Sequence, residues 1–257
     1  MPLCKICRSE TNVIFNAEVL HKYDVQYFQC NSCEFIQTEH AYWLSEAYSN
    51  AITSQDIGLL YRNYFTLPLL RTIIKLYFDK NKKFVDFGGG YGVLVRLMRD
   101  SGFDTYRSDK YCENLFAAGF DDVVAGERYE LLTSFEVFEH LDDPLREVAK
   151  MLEFSDNIFF STEIQPRRDI QKPDNWWYIM PETGQHIALY SLKSLECLAK
   201  KLGLNFYTNG VNYHLFTKKT LNKSVFKLVL RSKIASVLDR LLPNPPSLLQ
   251  QDYRIVK

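Results

Sequence analysis

The sequence predicts a doubly wound α/β domain preceded by a small metal-binding unit. Three observations carry this. Strand-like and helix-like patterns alternate between residues 66 and 217, a glycine-rich turn follows a short apolar run at Val85-Asp86-Phe87, and four of the six cysteines form two CxxC pairs before residue 34. Alternation of this kind builds a parallel sheet with helices on both faces. The chain has 257 residues, 46% of them apolar and 24% charged, which excludes a mainly disordered polymer. Basic and acidic residues balance at 31 each, so a protein that wraps nucleic-acid phosphates is disfavoured. No run approaches the ~18 apolar residues of a membrane span. Met1-Pro2-Leu3-Cys4-Lys5 lacks the basic-then-apolar order of a secretory signal, and a cytoplasmic location is expected.

Four stretches follow in order. Residues 1–38 hold Cys4-x-x-Cys7 and Cys30-x-x-Cys33. A two-residue gap lets one tight turn aim two thiolates at one ion, and two such turns complete a tetrahedron, so Cys4, Cys7, Cys30 and Cys33 read as a structural zinc site. A unit of this size buries little surface, and the metal would supply its folding energy. Its charges are mixed, which favours a scaffold over a nucleic-acid contact. Residues 39–65 read as an aromatic connector or lid containing Tyr42, Trp43 and Tyr48.

The core is expected over 66–217. Apolar spacing predicts a helix over 67–78 with Thr66 as its cap, a buried strand at 83–87, a helix over 93–98 closed by Ser101-Gly102, and a strand over 103–108. A helix over 111–118, a weak strand over 122–125, a strand over 130–135, a helix over 144–152 and a strand over 157–162 follow. Residues 163–182 form a polar, aromatic insertion at a strand's carboxyl end, where α/β ligand crevices lie. After a helix over 191–202, Asn209-Gly210 between strand residues predicts an antiparallel hairpin. Residues 218–257 carry Lys218, Lys219, Lys223, Lys227, Arg231, Lys233 and Arg240, their apolar residues Val225, Leu228, Val229, Ile234, Leu238 and Leu241 keep a loose helical period, and Pro243-Asn244-Pro245-Pro246 ends the helix before a tail. That helix either packs with a solvated basic face or meets a membrane surface or a second subunit.

The turn itself reads Gly88-Gly89-Gly90-Tyr91-Gly92-Val93. A dinucleotide-binding turn needs Gly or Ala at position 93, so a nicotinamide oxidoreductase is disfavoured. Asp109 lies about twenty residues on, at the next strand's end, where a carboxylate accepts hydrogen bonds from ribose hydroxyls.

The stretch Asp86-Phe87-Gly88-Gly89-Gly90-Tyr91-Gly92 resembles motif I of class I S-adenosylmethionine-dependent methyltransferases. The resemblance implies a seven-stranded Rossmann-like sheet with its last strand antiparallel. It implies that Asp86, Gly88, Gly90 and Gly92 line the cosubstrate, that Asp109 holds the ribose, and that Phe135 and Glu136 lie by the sulfonium. Phe135-Glu136-Val137-Phe138-Glu139-His140-Leu141-Asp142-Asp143-Pro144 is similar to the EHL-x-x-P signature of a bacterial branch of these enzymes. The zinc knuckles resemble those of bacterial deoxysugar C-methyltransferases, and the histidine that family carries before a Tyr-Ser pair matches His186. Gln185 stands where that family has glutamate, and its further C-terminal domain has no counterpart here. The layout is similar to the short methyltransferases of capsule and lipopolysaccharide clusters, which implies O-methylation of a sugar hydroxyl.

Such a hydroxyl has a very high pKa and needs a base. His186 is the first candidate and His140 the second, with Glu139 either orienting a histidine or solvated. Tyr48, Trp176, Trp177 and Tyr178 are candidate walls for a small-molecule acceptor. Arg167 and Arg168 are candidates to grip a diphosphate. No second cluster of carboxylates and histidines suggests a catalytic metal. The alternatives are a different acceptor, including a sugar carbon, or a non-catalytic zinc-bearing module that binds RNA or protein.

Overall fold

The computed structural model of the protein describes residues 1–48, 57–121, 123, 126–168 and 170–256. In chain order it contains β1 (Thr11–Val19), β2 (Tyr23–Cys30), β3 (Ile36–Thr38), α1 (Leu44–Ala47), α2 (Leu59–Tyr77), β4 (Phe84–Phe87), α3 (Val93–Asp100), β5 (Thr105–Ser108) and β6 (Leu131–Ser134). Next come α4 (Pro144–Phe154), β7 (Asn157–Ser161), β8 (Ala188–Leu189), α5 (Leu192–Lys201), β9 (Asn205–Thr208), β10 (Tyr213–Thr217), α6 (Lys223–Val229), α7 (Ser232–Leu241) and α8 (Leu249–Val256).

The main sheet has six described strands in the order β5-β4-β6-β7-β10-β9, the first four parallel and β10 antiparallel to both its neighbours. This is the expected Rossmann-like α/β architecture. Its strands are apolar at successive positions because both faces are covered. Phe84, Leu131, Phe159 and Leu215 pack with α2 and α7 on one face. Their neighbours Val85, Leu132, Phe160 and Phe216 pack with Leu195 and Leu198 of α5 on the other. The expected weak strand over 122–125 lies largely outside the described residues.

The cysteine knuckles belong to a second, antiparallel sheet, β1-β2-β3-β8. Its fourth strand comes from beyond the insertion, and Cys4, Cys30, Cys33 and Phe35 share a core with Val85, Phe160 and Leu195.

Four expectations need correction. The helix expected from residue 67 begins at Leu59, running through Pro68, because Thr66 bonds the Tyr213 hydroxyl at 2.8 Å instead of capping and Arg62 N–H donates to Gly58 O at 2.9 Å. Residues 111–118 form turns rather than a helix. Leu115 and Phe116 N–H both reach Tyr91 O, and Asn114 bonds Ala117 through both of its amide atoms, which competes with a helical ladder. The single basic helix is two, α6 and α7. The tail is helical: Asp252 of α8 is 2% exposed, takes both arms of Arg99 at 2.8 Å and bonds Arg96 at 2.7 Å. Lys223, Lys227, Arg231, Lys233 and Arg240 face solvent. No helix among the described residues is long and apolar enough to cross a membrane.

Candidate functional site

Two glycines of the turn after β4 are required by space and backbone. Gly88 has φ +71° and a Cβ there would sit 2.5 Å from Val137 Cγ2; Gly92 has φ +84° and a Cβ would sit 2.7 Å from Asn114 Oδ1. The turn is braced from β5. Asp109 Oδ2 accepts from Gly90 N–H at 2.9 Å, and its Oδ1 accepts from Tyr111 and Cys112 N–H at 2.8 and 2.9 Å. Three of a carboxylate's roughly four lone-pair sites are thereby used, leaving room for one further donor. Arg107, which the sequence reading missed, is 3% exposed and donates from Nε to Gly90 O at 2.6 Å, from Nη1 to Asp121 at 2.8 Å and from Nη2 to Cys112 O. The detectable signal was a cation two residues before Asp109 on a half-buried strand. Asp86 is buried, accepts from Thr133 Oγ1 at 2.6 Å, and is pushed up to about 7 by burial. Glu136, at φ +55°, accepts from Ser161 Oγ at 2.6 Å, and Phe135 lies edge-on to Phe159 and Tyr213.

The second half of the site is assembled from three distant segments. Ile187 N–H donates to Glu139 O at 2.9 Å and the Tyr190 hydroxyl to Phe138 O at 2.9 Å, which zips the turn 138–140 against 187–190. His140 and His186 consequently lie with ring centroids 5.2 Å apart. The connector joins them: Gln185 Nε2 donates to Ala47 O at 2.9 Å and Trp43 Nε1 to Gly184 O at 2.8 Å. Tyr48 thereby stacks on Tyr111, centroids 5.2 Å apart, with its other neighbour His140 at 6.1 Å.

Glu139, His140 and His186 come together with one ligand-capable atom of each within 4.8 Å of the others. This corrects the expectation that no carboxylate–histidine cluster exists: it is built across the fold, not along the chain. Glu139 is fully buried, accepts from the Tyr178 hydroxyl at 2.5 Å on Oε1, and has no partner on Oε2 among the described residues. Burial, assisted by Glu136, pushes it up to about 8. Burial holds His140 well below the usual imidazole range, and His186 down to about 4. His186 Nδ1 lies 2.5 Å from Tyr178 O, so it carries the hydrogen and Nε2 is bare.

Among the expected acceptor walls, Tyr178 and Trp176 are buried in the core under β1 and β2, while Trp177 is 70% exposed. Arg167 and Arg168 are exposed, with Arg168 donating to Asn175 O.

The four cysteines converge, with Cys4–Cys33 Sγ atoms 3.6 Å apart and Cys7–Cys30 3.3 Å, and none is disulfide-bonded. Both knuckles end on a left-handed residue, Arg8 and Glu34, and backbone N–H groups of Cys7, Ser32 and Cys33 point at sulfur at 3.4 Å.

A family model described as a methyltransferase domain matches residues 61–209. A ubiquinone biosynthesis O-methyltransferase from Aliivibrio fischeri (strain MJ11) is 31% identical over 102 residues, 32% of this chain and 44% of that protein. The chain thus spans less than half the length of the curated relatives it matches. Among solved structures, the calicheamicin-biosynthesis methyltransferase CalO1 in its SAH-bound form aligns with TM-score 0.44 and 15% identity, over 70% of this chain and 60% of that one. A SAM-dependent methyltransferase from Aquifex aeolicus aligns with TM-score 0.42 and 12% identity, over 64% of this chain and 97% of that one.

Proposed function

Because the chain belongs to the methyltransferase domain family, we propose that it moves the methyl group of S-adenosylmethionine onto a hydroxyl of a nucleotide-activated sugar or surface-glycan precursor in the cytoplasm. The observation that carries this reading is one unbroken line of contacts. It runs from Gly90 through Asp109 to Tyr111 and Tyr48, and on to His140 and His186. One end suits an adenosyl cosubstrate and the other an acceptor's proton.

The cosubstrate fits the residues present. Gly88 and Gly92 keep the backbone open where a Cβ would collide, and Asp109 and Glu136 border the turn with carboxylates suited to a cationic ligand, while buried Asp86 holds its proton up to about pH 7. Arg107 does not oppose that charge, since its guanidinium is held by Gly90 O, Asp121 and Cys112 O. When bound, S-adenosylmethionine supplies an electrophilic methyl group on a sulfonium. The protein's part is alignment: Asp109 and Gly90 fix the ribose end, and Phe135 and Glu136 flank the sulfur. His186, with Nε2 bare, takes the hydroxyl proton as the bond forms, and Glu139, which burial keeps largely protonated at neutral pH, braces the cluster through the Tyr178 hydroxyl. Tyr48 and Trp177 offer faces to the acceptor, and Arg167 and Arg168 reach for a diphosphate. A phenolic acceptor is the second reading, favoured by the ubiquinone O-methyltransferase match, and it demands a weaker base.

The cysteine site fits structural zinc. For Zn–S of about 2.3 Å a tetrahedral edge is about 3.8 Å, and the two closest sulfur pairs stand at 3.6 and 3.3 Å. Four thiolates leave no position open for a reacting molecule.

Calorimetric titration with S-adenosylmethionine tests the core of this reading: saturable binding is expected, weakened about tenfold or more in Asp109→Ala. Wild-type protein that binds none of it would end the proposal. Methyl transfer to nucleotide sugars, and not to phenols, separates the two acceptors.

A further inference from the structure

We propose that Glu139, His140 and His186 form a divalent transition-metal site. Its role, holding and polarising the acceptor oxygen in place of the proton transfer given to His186 above, since Nε2 cannot both coordinate an ion and take a proton, rests on the methyl transfer proposed there; its existence does not. Two observations point to a ligand. A carboxylate oxygen, Glu139 Oε2, is fully buried with no partner among the described residues, and such an orphan costs free energy unless something occupies it. Glu139 also belongs to a cluster in which one ligand-capable atom from each of the three residues lies within 4.8 Å of the others, so side-chain shifts bring them onto one ion.

The surroundings are built the way metal ligands are held. His186 gives its Nδ1 hydrogen to Tyr178 O at 2.5 Å, which fixes the ring and leaves Nε2 to coordinate. Glu139 is held on its other oxygen by the Tyr178 hydroxyl at 2.5 Å. One residue thus orients two of the three ligands. Ile187 N–H to Glu139 O and Tyr190 to Phe138 O lock the backbones that carry them.

The donor set decides the ion. Two imidazoles and one carboxylate suit zinc, iron, manganese or cobalt and not magnesium or calcium, which prefer all-oxygen shells. Three protein ligands leave coordination positions open, as in metal sites that act on a bound molecule, in contrast to the closed four-thiolate knuckle. His140 borders Tyr48, so the open side lies toward the connector and the proposed acceptor.

Cobalt(II) alone, added to full-length protein with zinc retained at the cysteines, tests this by visible absorption. The expected result is one saturable equivalent per chain that lacks a thiolate-to-cobalt charge-transfer band. Exchange into the knuckle shows that band and is not counted. Glu139→Gln and His186→Asn, each confirmed folded by its melting curve, are expected to weaken uptake at least ~tenfold. Asp109→Ala keeps cobalt uptake while losing S-adenosylmethionine, so failure of the methyltransferase reading is told apart from failure of this one. No saturable uptake beyond the knuckle, or uptake equal to wild type in both ligand variants, overturns the site.

Discussion

A histidine buried beside a second histidine is costly unless something repays the loss of hydration, and His186 answers that cost by donating to a carbonyl and standing neutral. Its bare Nε2 is the reason its removal should matter. His186→Ala is expected to lower kcat by about 10²–10⁴, with the S-adenosylmethionine Kd changed little, as single-turnover rates and titration would show. Gly88→Ala is expected to do the opposite. The φ of +71° and the 2.5 Å approach to Val137 close the cradle, so cosubstrate affinity should fall by tenfold or more before chemistry is reached. The histidines, Glu139, Asp109 and the glycines stand out in the sequence as candidates because each is a chemically distinctive residue in a motif. Arg107 does not, because an arginine on a strand looks solvated until the fold turns it under Gly90. The unpartnered Glu139 oxygen was not legible either, since what satisfies a buried polar atom is a property of three segments and not of one.

Elements were legible where local chemistry and tertiary packing agree. Asp143 caps α4 by accepting from Arg146 N–H, Pro144 opens it, and Ser191 caps α5, all readable as side-chain types in order. They were not legible where distant partners decide. Residues 111–118 have helical spacing, yet their donors go to Tyr91 and Asn114, while the last residues have tail-like composition but dock through Asp252. That carboxylate is shared by Arg96 and Arg99 with almost no solvent access. Asp252→Ala takes from the buried Arg99 guanidinium its two-point partner and leaves it Asp104 at 2.5 Å and Thr105 O at 3.1 Å, so the loss in urea unfolding should be about 1.5–3 kcal/mol. The knuckle sheet belongs to this scale too. Because β8 completes it from beyond the insertion, chelating the zinc proposed for the four cysteines should loosen both termini of that sheet together. Hydrogen exchange is expected to rise in β1 and β2 and also around His186, with β4 and β6 protected; a rise in residues 1–38 alone would show that the sheet is not mechanically shared.

At the scale of the whole molecule, the doubly covered sheet buries titratable groups that the surface balance of charge conceals. His214 on β10 is fully buried between the hydroxyl of Thr208 and the carbonyl of Thr162, 2.8 and 3.0 Å away, and burial lowers it to about 4. Its unfolded value is 6.5, so between pH 6.5 and 4 the unfolded chain binds the proton and the folded one does not. Stability contributed by neutral His214 is therefore complete above pH 6.5 and lost as pH falls toward 4, by up to about 3 kcal/mol. Asp86 acts in the opposite sense. Its folded value near 7 against 3.8 unfolded means the folded chain holds the proton in that window, and the benefit disappears as pH rises through 7. The two slopes offset each other between pH 4 and 6.5, so the wild-type curve alone hides both. His214→Gln keeps an amide able to donate and accept and removes the titration. The stability difference, wild type minus this variant, measured by urea unfolding at intervals from pH 8 to 4.5, should be flat above pH 7 and decline below 6.5. A difference that stays flat to pH 4.5 would mean that His214 titrates alike in both states, and that the centre of the sheet is not as dry as its packing implies.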